Sequence, residues 1–134
     1  MCGILGILST DSSNDIDTLV SNALSTLHHR GPDDSGVWCN LSKEVALGHT
    51  RLSILDLTSA GHQPMSSISG RYQIVFNGEI YNHLDLRNKL EKNGDSLSWA
   101  GHSDTETILR CIDCWGIEKT LKSMVGMFAI TLWD

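Results

Sequence analysis

The stretch Cys2-Gly3-Ile4-Leu5-Gly6-Ile7-Leu8 limits the possible fold more than any other part of the chain. It is apolar at nearly every position and β-branched at two, the pattern of a buried strand. It also opens on a cysteine one processing step from the N-terminus. Methionine aminopeptidases remove Met1 when the next side chain is small, and cysteine is small. The mature chain would then carry a thiol and a free α-amine on one residue. An α-amine titrates at about 7.7–8.0, so it can accept and return the thiol proton near neutral pH. An interior amide nitrogen cannot. Taken alone, the heptapeptide is equally an ordinary buried strand behind a chance Met-Cys start, so the rest of the chain has to decide whether Cys2 is a nucleophile.

Beyond this strand the chain alternates between helical and strand patterns. Ile16, Leu19, Val20, Ala23, Leu24 and Leu27 fall on one face of a helix that should cover a sheet. Asn14 or Asp15 is its expected N-cap, and Gly31-Pro32 its end. The loop His28-His29-Arg30-Gly31-Pro32-Asp33-Asp34-Ser35-Gly36 invites a metal site through its paired histidines. Adjacent histidines seldom share one ion, however, and Arg-Gly-Pro-Asp suits a structured turn whose Asp side chains bind backbone N–H groups. Residues 36–39 and 45–54 read as strands. Arg51 lies inside the second of these, where an unpaired guanidinium is costly. Its planar fork suits a bound carboxylate, and a salt bridge to Asp56 or another acid would serve as well.

Residues 56–70 form a long loop, the kind that is often functional. A strand over 71–76 runs into Asn77-Gly78, and Leu84, Leu86 and Leu90 then mark a helix stopping at Gly94. A strand end of this type exposes a side-chain amide and a glycine N–H, two donors able to hold an oxyanion. Ser103-Asp104-Thr105-Glu106 is a capping box opening a helix that runs to Trp115-Gly116. Asp104 in its first turn is explained by the helix dipole alone. A short helix over 117–124 precedes a last strand over 127–133.

Composition excludes several classes. A chain of 134 residues holds one domain with a core, 1–134. Its formal charge of −6, from 16 acidic and 10 basic residues with no basic stripe, argues against nucleic acid. No apolar run is long enough to span a membrane, and no signal peptide is visible, so the expected compartment is the cytoplasm. Cys2, Cys39, Cys111 and Cys114 should then be reduced. Cys111-x-x-Cys114 resembles half a zinc site or a redox pair, but no second ligand pair exists and the motif lies within a helical pattern, which favours packing.

In order and spacing these pieces resemble the glutaminase domain of the class II, N-terminal nucleophile, glutamine amidotransferases, in the asparagine synthetase branch. The likeness rests on Met1-Cys2-Gly3-Ile4, His29-Arg30-Gly31-Pro32-Asp33, Ser35-Gly36, and His49-x-Arg51-Leu52-Ser53-Ile54. It continues through His62-Gln63-Pro64, Asn77-Gly78-Glu79-Ile80-Tyr81-Asn82, Ser103-Asp104-Thr105-Glu106 and Gly126-Met127-Phe128-Ala129.

The resemblance implies an α+β fold, the four-layer α/β/β/α sandwich of N-terminal nucleophile hydrolases. It implies that Cys2 attacks the side-chain amide of glutamine, with its own α-amine as base, releasing ammonia and leaving a thioester that water hydrolyses. Asn77 and Gly78 would form the oxyanion hole. Arg51 would hold the substrate carboxylate, and Glu79 and Asp104 its ammonium. The backbone of Leu52, Ser53, Ile54 and Leu55 would shape the pocket. No metal or cofactor is implied for this step. ATP and magnesium belong to a synthetase domain, the expected acceptor of the ammonia, and no phosphate-binding glycine loop occurs here.

Domains of this type usually run further, so the chain reads as C-terminally truncated. An open strand edge at its end would favour a homodimer or poor stability. Two other readings compete: an idle domain that only binds glutamine or a synthetase partner, and a metal module using His28, His29, His49, His62 and the cysteines. Ligand spacing is inconsistent for the latter.

Overall fold

The computed structural model describes residues 2–10, 15–53, 56, 58–92 and 98–134. Two three-stranded antiparallel sheets carry the molecule. The first has β1 (Gly3–Leu8), β2 (Asp34–Cys39) and β3 (Val45–Arg51) in the order β1-β3-β2. The second has β4 (Met65–Ser66), β5 (Gln73–Ile80) and β6 (Gly126–Trp133) in the order β4-β5-β6.

Helix α1 (Ile16–Ser25) covers the first sheet, burying Ile16 and Val20 against Ala46, with Leu5, Ile7 and Cys39 beside them. Helices α2 (His83–Lys92) and α3 (Asp104–Trp115) cover the second, and α4 (Ile117–Ser123) packs on α3. The larger core lies there, where Ile74, Phe76 and Ile80 of β5 meet Leu86, Leu90, Ile108 and Ile112. Contacts of β1 and β3 with β5 stack the two sheets face to face, so the layers run α/β/β/α as expected. Among the described residues no helix is long and apolar enough to cross a membrane.

Several elements depart from the sequence reading. Asp15 caps α1 by accepting the Thr18 N–H, while Asn14 lies outside the described residues. The helix does not reach Gly31. It stops at Ser25 because Thr26 N–H bonds back to Ala23, tightening the last turn, and His28–Arg30 form a separate 3-10 turn. β3 ends at Arg51, short of Ile54. The loop before β5 contains the short strand β4, paired with Gln73 and Ile74. The turn at Asp33-Asp34 is built as expected: Asp33 accepts the Ser53 N–H at 2.8 Å and Asp34 the Ser35 N–H at 2.8 Å.

The largest correction concerns β5. It continues through Asn77-Gly78 to Ile80, because Gly126–Ala129 of β6 pairs with that segment (Asn77 opposite Ala129, Gly78 opposite Phe128). Asn77-Gly78 is therefore within a strand. Gly94, the expected stop of α2, lies outside the described residues.

Candidate active site

Alternation along β5 decides which backbone groups are available for chemistry. The Phe76 N–H donates to Gln63 Oε1 at 2.6 Å, and the Ile80 N–H to Asp104 Oδ2 at 3.0 Å. Both groups point away from β6. Successive N–H groups on a strand alternate between its two edges, so that of Gly78 lies on the same edge, between these two. β4 pairs with Gln73 and Ile74, and from Val75 onward no strand among the described residues covers that edge. The gap opens into a cleft of about 200 Å³.

Cys2, immediately before β1, lines this cleft together with Arg51, Leu52, Asn77, Gly78, Glu79 and Asp104. β1 and β3 bring the first of these together: the Gly3 N–H donates to Thr50 Oγ1 at 3.1 Å, and Cys2 Sγ accepts the Leu52 N–H at 3.3 Å. The thiol is half-buried and not in a disulfide.

Arg51 is 8% exposed, yet it makes no salt bridge to Asp56. Its Nη1 donates to the Thr58 carbonyl at 2.8 Å and its Nη2 to the Asp56 carbonyl. Gly61 packs against the guanidinium so closely that a Cβ there would collide with it. Loop carbonyls therefore fix the fork without neutralising it, and the cation faces the cleft.

Asp104 is 5% exposed, at the N-terminus of α3 behind the Ser103 cap. Burial raises its pKa above the usual carboxylate value, against the pull of the Ile80 N–H. Glu79 is exposed on β5 at the cleft's rim. The lining of one cleft thus combines a cation, the acids Glu79 and Asp104, the Cys2 thiol and the amides of Asn77 and Gly78. A zwitterionic amino acid with a side-chain carbonyl complements this arrangement.

Some expected site residues are elsewhere. Ser53 is not among the residues lining the cleft, and its N–H is engaged by Asp33. Ile54 and Leu55 lie outside the described residues. The cleft also includes Asp56, expected only as an ion-pair partner of Arg51, and Gln63, Phe76, Tyr81, Thr105 and Met127, to which sequence reasoning gave no role in the site. Gln63 stands in the His62-Gln63-Pro64 motif, and that is its only signal. Glu106 does not close the capping box back onto Ser103. Its carboxylate accepts the Ala100 and Gly101 N–H groups at 2.8 and 3.0 Å, while Ser103 Oγ accepts the Glu106 N–H as expected.

The histidines are dispersed. His29 Nδ1 lies 3.0 Å from the Thr26 carbonyl, His62 Nδ1 2.7 Å from Asp34 Oδ2, and His49 Nε2 3.2 Å from the Phe76 carbonyl. Cys111 is buried in the α3 core while Cys114 is exposed, in keeping with a packing role for the first of the pair.

Comparison with known proteins gives a consistent picture. The family model described as "Glutamine amidotransferase domain" matches residues 1–134. Asparagine synthetase [glutamine-hydrolyzing] 2 of Arabidopsis thaliana is 38% identical over the whole chain, which covers 22% of that protein. Asparagine synthetase [glutamine-hydrolyzing] 1 of Bacillus subtilis is 35% identical, again over the whole chain and 21% of its own length. The chain thus spans about a fifth of the length of these curated relatives. Among solved structures, glutamine phosphoribosylpyrophosphate amidotransferase from B. subtilis superposes with a TM-score of 0.74 at 21% identity, covering 99% of this chain and 35% of that one. This structural likeness bears on the fold.

Proposed function

Because the chain belongs to the glutamine amidotransferase domain family, we propose that it hydrolyses glutamine to glutamate and ammonia through a thioester on Cys2. The observation that carries this reading is the convergence of Cys2, Arg51, Asn77, Gly78, Glu79 and Asp104 on one cleft from four separate stretches of chain.

The chemistry comes from the groups present. Removal of Met1 frees the Cys2 α-amine, which takes the thiol proton. The thiolate attacks the side-chain carbonyl carbon of glutamine, and the carbonyl oxygen becomes an oxyanion facing the Asn77 side-chain amide and the Gly78 N–H. Donors already in place at a developing charge stabilise it without reorganisation, and losing one typically costs about 10²–10³ in rate. The C–N bond breaks, the proton held on the amine passes to the departing nitrogen, and ammonia leaves. Water then attacks the thioester, giving glutamate and the thiol. Arg51 orients the substrate carboxylate, and Glu79 and Asp104 its ammonium, which turns binding energy into positioning of the amide.

The ammonia acceptor is proposed as an ATP-dependent, asparagine-synthetase-like amidation, on the strength of the relatives' names and of the chain covering about a fifth of them. The ATP and magnesium of that step belong to the acceptor.

The test is intact mass spectrometry before and after a diazo-ketone analogue of glutamine. A mass short by one methionine, then a single adduct mapping to Cys2, is expected. A processed chain that takes no adduct and releases no ammonia from glutamine would refute the reading.

A further inference from the structure

Gly78 owes its place in the cleft to its neighbours on the uncovered edge of β5. An inner strand gets its register from strands on both sides, but from Val75 onward this edge has no strand among the described residues. Its backbone groups are held by side chains instead. Gln63 Oε1 accepts the Phe76 N–H at 2.6 Å, and His49 Nε2 donates to the Phe76 carbonyl at 3.2 Å. A carbonyl acceptor requires the proton on Nε2, and the buried ring is neutral, its pKa lowered to about 4.

Gln63 is itself anchored. It is 6% exposed and its Nε2 donates to Thr105 Oγ1 at 3.2 Å, on the first turn of α3. It thus bridges the N-terminus of α3 and the β5 edge, two residues before Gly78. Asp104, next to Thr105, makes the second bridge two residues after Gly78, at Ile80. The Gly78 N–H, between two fixed struts, is claimed by no group among the described residues.

Resting on the glutaminase reading, we propose that Gln63 is a positioning residue for the oxyanion: through the Phe76 peptide it holds the Gly78 N–H at the angle the tetrahedral intermediate requires. Its hydrogen bonds among the described residues go to the Phe76 N–H and the Thr105 hydroxyl. It acts by replacing the missing strand, and Thr105 acts behind it. A displacement of about 1 Å at a reacting centre can cost on the order of 10²-fold, so a strut of this kind bears on rate while leaving ground-state binding alone.

The consequence is a selective loss. The glutamine analogue bearing an aldehyde in place of the amide adds the Cys2 thiol reversibly. The thiol proton passes to the Cys2 α-amine, a C–S bond forms, the carbonyl π bond breaks, and the new oxygen occupies the oxyanion position. Glutamate, the product, binds through the same Arg51, Glu79 and Asp104 contacts without forming that oxygen.

The experiment measures kcat and KM for glutamine, and inhibition constants for the aldehyde and for glutamate, in wild type, Gln63→Met and Thr105→Val. Gln63→Met keeps the volume but neither hydrogen bond. It should lower kcat roughly tenfold and weaken the aldehyde by a similar factor, with KM and glutamate binding within about twofold. Thr105→Val frees only the outer end of the strut and should give a smaller change with the same selectivity, and so supplies the test even if Gln63→Met folds poorly. Equal weakening of aldehyde and glutamate would overturn the proposal, since it would mean general damage to the pocket. Unchanged aldehyde affinity in both variants would overturn it too. A wild type that neither hydrolyses glutamine nor binds the aldehyde would bring down the glutaminase reading, a result distinguishable from an active wild type with indifferent variants.

Discussion

The carboxylate of Asp56 accepts the backbone N–H of His102 at 2.8 Å. Its other oxygen accepts the Thr58 N–H at 2.8 Å and the Thr58 hydroxyl at 2.6 Å, while its own carbonyl receives the Arg51 guanidinium. One residue thus connects the loop that fixes Arg51 to the loop that leads into Asp104. In Asp56→Asn an amide must face either His102 or Thr58, so one N–H meets another donor. The expected result is a rise in KM for glutamine of about tenfold with kcat nearly unchanged. Alkylation of Cys2 by iodoacetamide, which needs no amino-acid clamp, should keep its wild-type rate. Slowed alkylation would show that the substitution disturbs the thiol as well.

These hydrogen bonds pull Asp56 down to a pKa of about 2, the Thr58 hydroxyl contributing most. A depressed carboxylate pKa contributes stability that is complete above the unfolded value of about 3.9 and disappears as pH falls through the folded one. Urea unfolding of wild type against Asp56→Asn should therefore show a gap that is constant from pH 5 to neutrality and closes between about pH 4 and pH 2. A gap independent of pH over that range would assign the effect to packing.

Asp104 has the opposite sign. Burial raises its pKa, so its ionised form costs stability once pH passes the unfolded value, and neutralising it should relieve that cost. Asp104→Asn can still accept the Ile80 N–H. At neutral pH it should melt at the same temperature or a few degrees higher, while losing glutamine binding. Sites tuned for ligand often trade stability in this way. A large fall in melting temperature would instead make Asp104 mainly a structural cap.

How much of the molecule is legible in its sequence varies with the range of the interaction. The burial of Ile16, Val20 and Leu24 on α1 and of Cys111 on α3 follows from local spacing, whereas Leu19, placed by the same spacing on the buried face of α1, is 47% exposed and Leu27 lies beyond the helix. The early end of α1 depends on one tightened turn at Thr26, which composition does not mark. The length of β5 escapes local reading because its last four residues are strand only through pairing with Gly126–Ala129, about 50 positions away in the chain. Glu106 leaves its capping box for Ala100 and Gly101, whose N–H groups compete better for it. Cys2, Arg51, Asn77 and Gly78 stand out in the sequence by themselves, Glu79 and Asp104 take roles only through the family resemblance, and the fold brings all six to one cleft. Gln63 and Thr105 acquire meaning only where side chains meet across an uncovered strand edge, which no local pattern encodes.

Gly78 tests that edge from its other side. Its φ of +156° is joined to close approach by β6: a Cβ would meet the Met127 carbonyl and come within 2.6 Å of Phe128 Cα. Backbone cannot yield as a flexible side chain can. Gly78→Ala should cost roughly 1–3 kcal/mol by overpacking and lower kcat further than KM changes. Urea unfolding and steady-state kinetics on one preparation read both.

The thiols differ in what reaches them. Burial pushes Cys111 up to about 12, and burial together with Asp17, whose carboxylate accepts the thiol proton at 2.8 Å, pushes Cys39 up to about 11. Thiolate is the reactive form, so both should resist iodoacetamide at pH 8 in the folded chain. Cys114 is exposed and Cys2 lines the cleft, so these two should label, Cys2 alone being protected by saturating glutamate. Peptide mapping after brief labelling measures this. Labelling of Cys111 at a comparable rate would mean that α3 opens readily, and would weaken every inference drawn from its N-terminus. If Cys111 stays protected while Cys2 is shielded by glutamate, α3 is a fixed wall of the cleft and the product occupies the space beside the thiol.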